Sequence, residues 1–172
     1  MLKRLNDLPQ LTVALVDGPA FGGGAGIVAA CDLAVATERA TFAFSEVRLG
    51  LTPATISPYV VRAVGARNAK MLFATGRLFT AADALKWGLV QQIVTEASQF
   101  GPLITVLGET MKDCAPGAVA DAKVLVSAVA DRPIDHTLLD LTARAIAKRR
   151  SSEEGREGVT AFLEKRKPNW AL

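Results

Sequence analysis

The apolar positions divide the chain into two stretches with different periods. Between Leu11 and Val94, short apolar runs at Leu11–Val16, Leu33–Ala36, Thr41–Phe44 and Leu89–Val94 are bounded by Gly, Asp and Pro. Such runs, rich in Val and Leu and flanked by turn residues, predict strands. Helical patterns lie around them: Leu2 to Asp7, stopped by Pro9; a short segment from Ile27 to Cys31; and Ser57 to Val64 with Asn68 to Ala74, punctuated by Gly65 and Gly76. Thr80-Ala-Ala-Asp83 has the spacing of a capping box with Asp in the place of Glu, and Gly88 after Trp87 suits a helix C-cap. Beyond Ser98 the period is helical to the end, with breaks at Gly101-Pro102, Pro116-Gly117 and Arg132-Pro133. Ser151-Ser-Glu-Glu154 predicts a further capped helix that ends before Pro168. The expected architecture is therefore an α/β core over 1–97 followed by a helical region over 98–172. No repeat of fixed period is visible.

Composition narrows the function classes. Half of the residues are apolar and 22% are charged, which suits a compact chain that buries roughly 70% of its unfolded surface. The net charge of +3 is concentrated late, where Arg144, Lys148, Arg149, Arg150, Arg156, Lys165, Arg166 and Lys167 alternate with Glu153, Glu154, Glu157 and Glu164. A mixed run of this kind is more often a solvated helical face than an anion site. It is not a basic stripe with interleaved aromatics, so nucleic acid is not an expected partner. Cys31 and Cys114 lie far apart and His136 is the single histidine, which leaves no zinc spacing, no expected metal and no disulfide framework; a reducing compartment fits. His136 follows Pro133-Ile-Asp at a helix start, the place of a capping or surface residue. Met1 to Pro9 has charge without the apolar centre of a signal peptide, and Asp32 interrupts the longest apolar stretch. The expectation is a cytoplasmic protein with no membrane span.

The densest chemical signal is Val16-Asp-Gly-Pro-Ala-Phe-Gly-Gly-Gly-Ala-Gly-Ile27, in which Gly22, Gly23 and Gly24 are adjacent and Gly26 follows. Mid-chain glycine costs backbone entropy, so a run between a strand and a helix needs a function. A glycine turn there offers backbone N–H groups at the positive end of a helix, to an anion or a developing oxyanion. A phosphate loop is excluded because no Lys follows the glycines. A dinucleotide fingerprint, Gly24-Ala-Gly-Ile-Val-Ala29, starts too far from the strand, and no acid ends the strand Leu33 to Ala36. An oxyanion hole remains, and it needs a proton-handling group. Phe42-Ala-Phe-Ser-Glu-Val-Arg-Leu-Gly50 supplies one in Glu46, just past an apolar strand. A carboxyl in apolar surroundings suits general acid/base work. A solvated strand-end carboxylate, or a pair with Arg48, is the alternative that these residues leave open.

Ala20-Phe-Gly-Gly-Gly-Ala-Gly-Ile-Val-Ala-Ala-Cys-Asp32, Ala40-Thr-Phe-Ala-Phe-Ser-Glu-Val-Arg-Leu-Gly50 and Ala81-Ala-Asp-Ala-Leu-Lys-Trp-Gly-Leu-Val90 together resemble the enoyl-CoA hydratase/isomerase (crotonase) family. The stretch from Arg156 to Lys167 is similar to that family's C-terminal helix. The resemblance implies a spiral of β-β-α units with a C-terminal helical region that builds trimers or dimers of trimers. It also implies an acyl-CoA thioester as substrate and no separate cofactor, coenzyme A being part of the substrate. Gly23 matches one of two oxyanion N–H donors, with Gly22 and Gly26 beside the substrate. Phe162 and Lys165 match a coenzyme A contact offered to a neighbouring subunit.

Of the two glutamates of the family's hydratases, the second matches Glu46 and the first falls on Gly26. A single carboxylate resembles both the Δ3-Δ2 enoyl-CoA isomerases and a hydratase branch of the methylglutaconyl-CoA type, to which Ser45–Val61 is most similar. Ala54-Thr-Ile-Ser57 stands where many relatives carry a glycine run, which implies a differently shaped acyl pocket. Strands upstream of the matched region, including the segment that supplies the second oxyanion donor, have no counterpart here, so 1–97 is expected to be a partial spiral core and 98–172 an oligomerisation region. The implied activity is addition of water to an α,β-unsaturated acyl-CoA. The alternatives are Δ3-Δ2 isomerisation, or a non-catalytic remnant that oligomerises and binds acyl-CoA weakly.

Overall fold

The computed structural model describes residues 1–171, which form two compact units: Met1–Asn6 with Leu11–Ile104, and Asp7–Gln10 with the residues from Thr105 onward. The first unit is the α/β one. After α1 (Leu2–Asn6) come β1 (Val13–Val16), β2 (Pro19–Phe21) and α2 (Gly23–Ala30), then β3 (Leu33–Thr37), β4 (Thr41–Ala43), a 3-10 turn (Glu46–Leu49) and α3 (Ser57–Thr75). They are followed by β5 (Phe79–Thr80), α4 (Ala81–Trp87) and β6 (Gln92–Val94).

Two turns of a β-β-α spiral are visible in the pairing. The first strands of successive turns lie side by side in a parallel sheet ordered β1-β3-β6, and the second strands in a sheet ordered β2-β4-β5 with β5 antiparallel. Val13 pairs with Leu33 but Pro19 pairs with Thr41, and α2 has 8 residues against the 19 of α3. The unequal lag and helix lengths explain why the repeat leaves no fixed period in the sequence. Strand β3 is central and buried on both faces, as its continuous apolar run requires. Its entry is fastened by Asp32, whose Oδ2 accepts from the Thr12 amide at 2.7 Å and the Thr12 hydroxyl at 2.8 Å.

The strand expectations change in detail. The run Leu89–Val94 contributes only Gln92–Val94 to the sheet, because the amides of Leu89 and Val90 bond to the carbonyl of Ala84 at the end of α4. Strands β2 and β5 are additions; β5 is two residues long and exists through its pairing with β4, Phe79 opposite Phe42. Phe79 stacks on Phe42 at 5.5 Å between ring centroids and meets Trp87 at 5.4 Å, while Phe44 meets Phe73 edge-on at 5.3 Å. This aromatic cluster is the centre of the core, with Phe42, Phe44 and Phe79 at most 2% exposed. The Thr80–Asp83 capping box forms, and Gly88 closes α4 in the left-handed region. Gly65, at φ 75°, interrupts α3 where two helices meet.

The second unit is helical: the latter part of α5 (Phe100–Lys112), α6 (Pro116–Val129), α7 (His136–Ser151) and α8 (Glu153–Leu163). His136 is the exposed first residue of α7, which Asp135 caps by accepting from the Leu138 amide. The cap of α8 is Ser152, one residue later than the sequence suggests. Glu154 is drawn away, its Oε1 accepting from the Gly117 amide at 3.0 Å and its Oε2 from Arg149 at 2.8 Å. Arg149 also binds Asp121, so one guanidinium ties α6, α7 and α8 together. Among the described residues no helix is long and apolar enough to cross a membrane.

Candidate active site

The glycine turn and Glu46 meet in the first unit. Gly22 is the N-cap of α2, at φ 49° and ψ −117°, a conformation reserved for glycine. Its amide donates to the Ala43 carbonyl on β4 at 2.9 Å, and its own carbonyl accepts the first helical bond, from the Gly26 amide at 3.0 Å. Helix α2 therefore starts at Gly23, earlier than the apolar pattern indicates. The amides of Gly23 and Gly24 precede that first helical bond, and a Cβ on either residue would meet nothing within 4 Å. Open space thus lies beside the backbone donors at the positive end of this helix.

Glu46 opens the 3-10 turn that follows β4. Gly50, left-handed at φ 72°, closes that turn, and the amide of Leu51 returns to the Glu46 carbonyl at 3.0 Å. The register carries the carboxyl back over Gly22: its Oε1 lies 3.4 Å from the point where a Cβ on Gly22 would stand. Its Oε2 is buried and has no hydrogen-bond partner. A buried carboxyl oxygen without a partner is costly in a folded protein, so a ligand that supplies a proton or accepts one is a physical reason for it.

Gly26 lies one helical turn beyond Gly22, buried against Ile56. A Cβ on Gly26 would stand 2.2 Å from Cγ2 of Ile56. Ile56 belongs to the stretch that replaces the expected glycine run, and that replacement is the one sequence signal that could have pointed to its place in the site. Phe162 and Lys165 belong to the other unit, at the end of α8. Phe162 is 82% exposed, and Lys165 takes the left-handed conformation at φ 56°. The amide of Lys165 bonds to the Phe162 carbonyl and that of Arg166 to the Ala161 carbonyl, a Schellman motif with lysine where glycine is usual. The first unit also carries an apolar groove of about 490 Å³, lined by Val47, Pro53, Val61, Ala69 and Phe73 with Lys70 among them.

Comparison with known proteins places this arrangement. The profile of the enoyl-CoA hydratase/isomerase family matches residues 1–171. The chain is 33% identical over 156 residues to enoyl-CoA hydratase ACTT6 of Alternaria alternata, covering 90% of this chain and 51% of that protein. Among solved structures, an enoyl-CoA hydratase from Shewanella pealeana superposes with a TM-score of 0.89 at 42% identity, over 98% of this chain and 63% of the other. Pseudomonas aeruginosa AtuE superposes with a TM-score of 0.91 at 38% identity, over 99% and 66%. The chain spans between about half and two thirds of the length of the curated relatives it matches. A match over nearly the whole chain, together with the β-β-α spiral and its glycine turn, means that this chain belongs to the enoyl-CoA hydratase/isomerase family.

Proposed function

We propose that the chain adds water to an α,β-unsaturated acyl-CoA thioester, with Glu46 as the acid/base group and the Gly23 amide as one donor of the oxyanion hole. The carrying observation is the Glu46 carboxyl, one oxygen buried without a partner and the other against Gly22 at the open start of α2. The Glu46 carboxylate takes a proton from water as the water oxygen bonds to the β-carbon. The double-bond electrons move toward the thioester carbonyl, whose oxygen gains negative charge beside the Gly23 amide. The protonated Glu46 then returns its proton to the α-carbon, so that H and OH are both delivered through one group. One well-placed oxyanion donor is worth about 3–4 kcal/mol of barrier.

A second reading, Δ3-Δ2 isomerisation, uses the same residues: Glu46 removes a proton from C2 and returns it at C4 while the double bond moves. The Gly26–Ile56 contact favours it, since no second acid stands one turn beyond Gly22. In either reading Phe162 and Lys165 contact the coenzyme A of a neighbouring subunit, supported by the exposure of Phe162 and the presence of a cation at a left-handed position. Self-association is part of the proposal, supported by Val124 and Val126 at 69% and 66% exposure on α6 and by Leu163 at 73% on α8.

The test is turnover of crotonyl-CoA and of a 3-enoyl-CoA by the purified chain, with Glu46→Gln as control and sedimentation to read the assembly. Loss of turnover by about 10²–10⁴-fold in a folded Glu46→Gln variant is expected. Equal activity in that variant removes Glu46 from the mechanism. A folded wild-type chain without turnover of either substrate supports the non-catalytic reading instead.

A further inference from the structure

We propose that Ile56 is a specificity-determining residue, which holds the site to one proton-handling group by filling the space that a side chain on residue 26 would need. The proposal rests on the reading of Glu46 as the acid/base group.

Residues 22 and 26 are one helical turn apart and share a face of α2. Cα–Cβ bonds tilt toward the N-terminus of their helix, so a side chain at 26 would grow toward Gly22 and the carboxyl that rests on it. Position 26 is therefore where α2 could place a second polar group beside Glu46. Ile56 closes it. A Cβ at 26 would stand 2.2 Å from Cγ2 of Ile56, 2.8 Å from its Cβ and 3.9 Å from its Cα. Heavy atoms do not approach within 3 Å without displacement, and Ile56 is poorly able to move. Its side chain is 4% exposed, and its backbone leads into α3, where the amides of Tyr59 and Val60 both bond to its carbonyl at 3.1 Å.

The same three distances make the exclusion selective. Alanine at 56 would still present its Cβ at 2.8 Å, whereas glycine at 56 would leave only the Cα at 3.9 Å. So residues 26 and 56 are coupled: a side chain at 26 requires glycine at 56, and isoleucine at 56 requires glycine at 26. The chemical result is a methyl group in the place of a second acid that, one helical turn beyond Gly22, could have held and activated water. The substrate class that fits is an enoyl thioester with an apolar substituent at the reacting carbons, its proton moved by Glu46 without a partner acid.

The test has two arms, melting and turnover. In an ordinary helix Gly→Ala is stabilising. Here Gly26→Ala is expected to lower the melting temperature of the wild-type chain and to raise that of an Ile56→Gly chain; a rise in both backgrounds overturns the exclusion. In the second arm the double variant Gly26→Glu/Ile56→Gly is expected to hydrate crotonyl-CoA on the order of ten- to a hundredfold faster than Ile56→Gly alone. Equal rates in a folded double variant overturn the claim that position 26 faces the reacting atoms. Glu46→Gln, measured in parallel, separates the two ideas: turnover that ignores Glu46 defeats the functional reading, while the melting arm still decides the 26–56 exclusion by itself.

Discussion

The carboxyl of Glu46 rests on Gly22, whose backbone conformation is reserved for glycine, with Oε1 at 3.4 Å from the point where a Cβ on Gly22 would stand. The cost of a side chain there is conformational: Gly22 holds φ 49° and ψ −117°, while an added methyl would meet the carboxyl at ordinary van der Waals distance. Gly22→Ala is expected to lower stability by about 1–3 kcal/mol in urea unfolding and to reduce turnover as well. A variant as stable and active as the wild type would show that the turn does not constrain Glu46.

The aromatic cluster gives β5 its place. Phe79 is 2% exposed and touches Phe42, Phe44 and Trp87. Phe79→Ala is expected to cost about 3–5 kcal/mol, because a strand of two residues has little pairing to retain it once the ring is gone. Urea unfolding followed by tryptophan fluorescence measures this, since Trp87 packs on the deleted ring.

Lys165 separates stability from binding. Its left-handed backbone at φ 56° favours glycine, while its cation suits the phosphates of coenzyme A as a point charge. Lys165→Gly is expected to keep or raise the melting temperature while raising KM for acyl-CoA several-fold with kcat little changed. A variant with unaltered KM would remove Lys165 from the coenzyme A contact.

Low pH should loosen the end of α8. Arg166 grips both carboxyl oxygens of Glu157, at 2.6 and 2.9 Å, and the Asn169 amide adds a bond at 2.9 Å. The Arg166 guanidinium is the main reason that the Glu157 carboxyl is held below its ordinary value of 4.5; the Asn169 amide acts in the same direction, and partial desolvation opposes both. A depressed carboxylate contributes stability that is present above the unfolded value and is lost as pH falls through the folded one. Hydrogen exchange at Asn169 should therefore separate wild type from Glu157→Gln near neutral pH and converge well below pH 4.5. The difference should also shrink in high salt, because the pair is partly exposed. A pH-independent difference would assign the effect to packing.

Local chemistry by itself determined a good part of this protein. The strands β1, β3 and β4, the capping box of Thr80 and Asp83 and the glycine turn are readable from near neighbours in the chain, because short apolar runs, capping and turn chemistry are patterns among residues a few positions apart, whereas the neighbours of Glu46 left its role open. Tertiary structure decided the rest. Helix α2 begins at Gly23 because the Gly22 amide is captured by Ala43 of β4, and β5 exists because Phe79 has Phe42 to lie on. Ser152 rather than Ser151 caps α8 because Gly117 and Arg149 claim Glu154. The buried Oε2 of Glu46 and the pressure of Ile56 on Gly26 are of the same kind. Each depends on atoms brought together from distant parts of the chain, and whether a side chain at 26 fits or clashes turns on distances of about an ångström, set only when α2 and α3 pack.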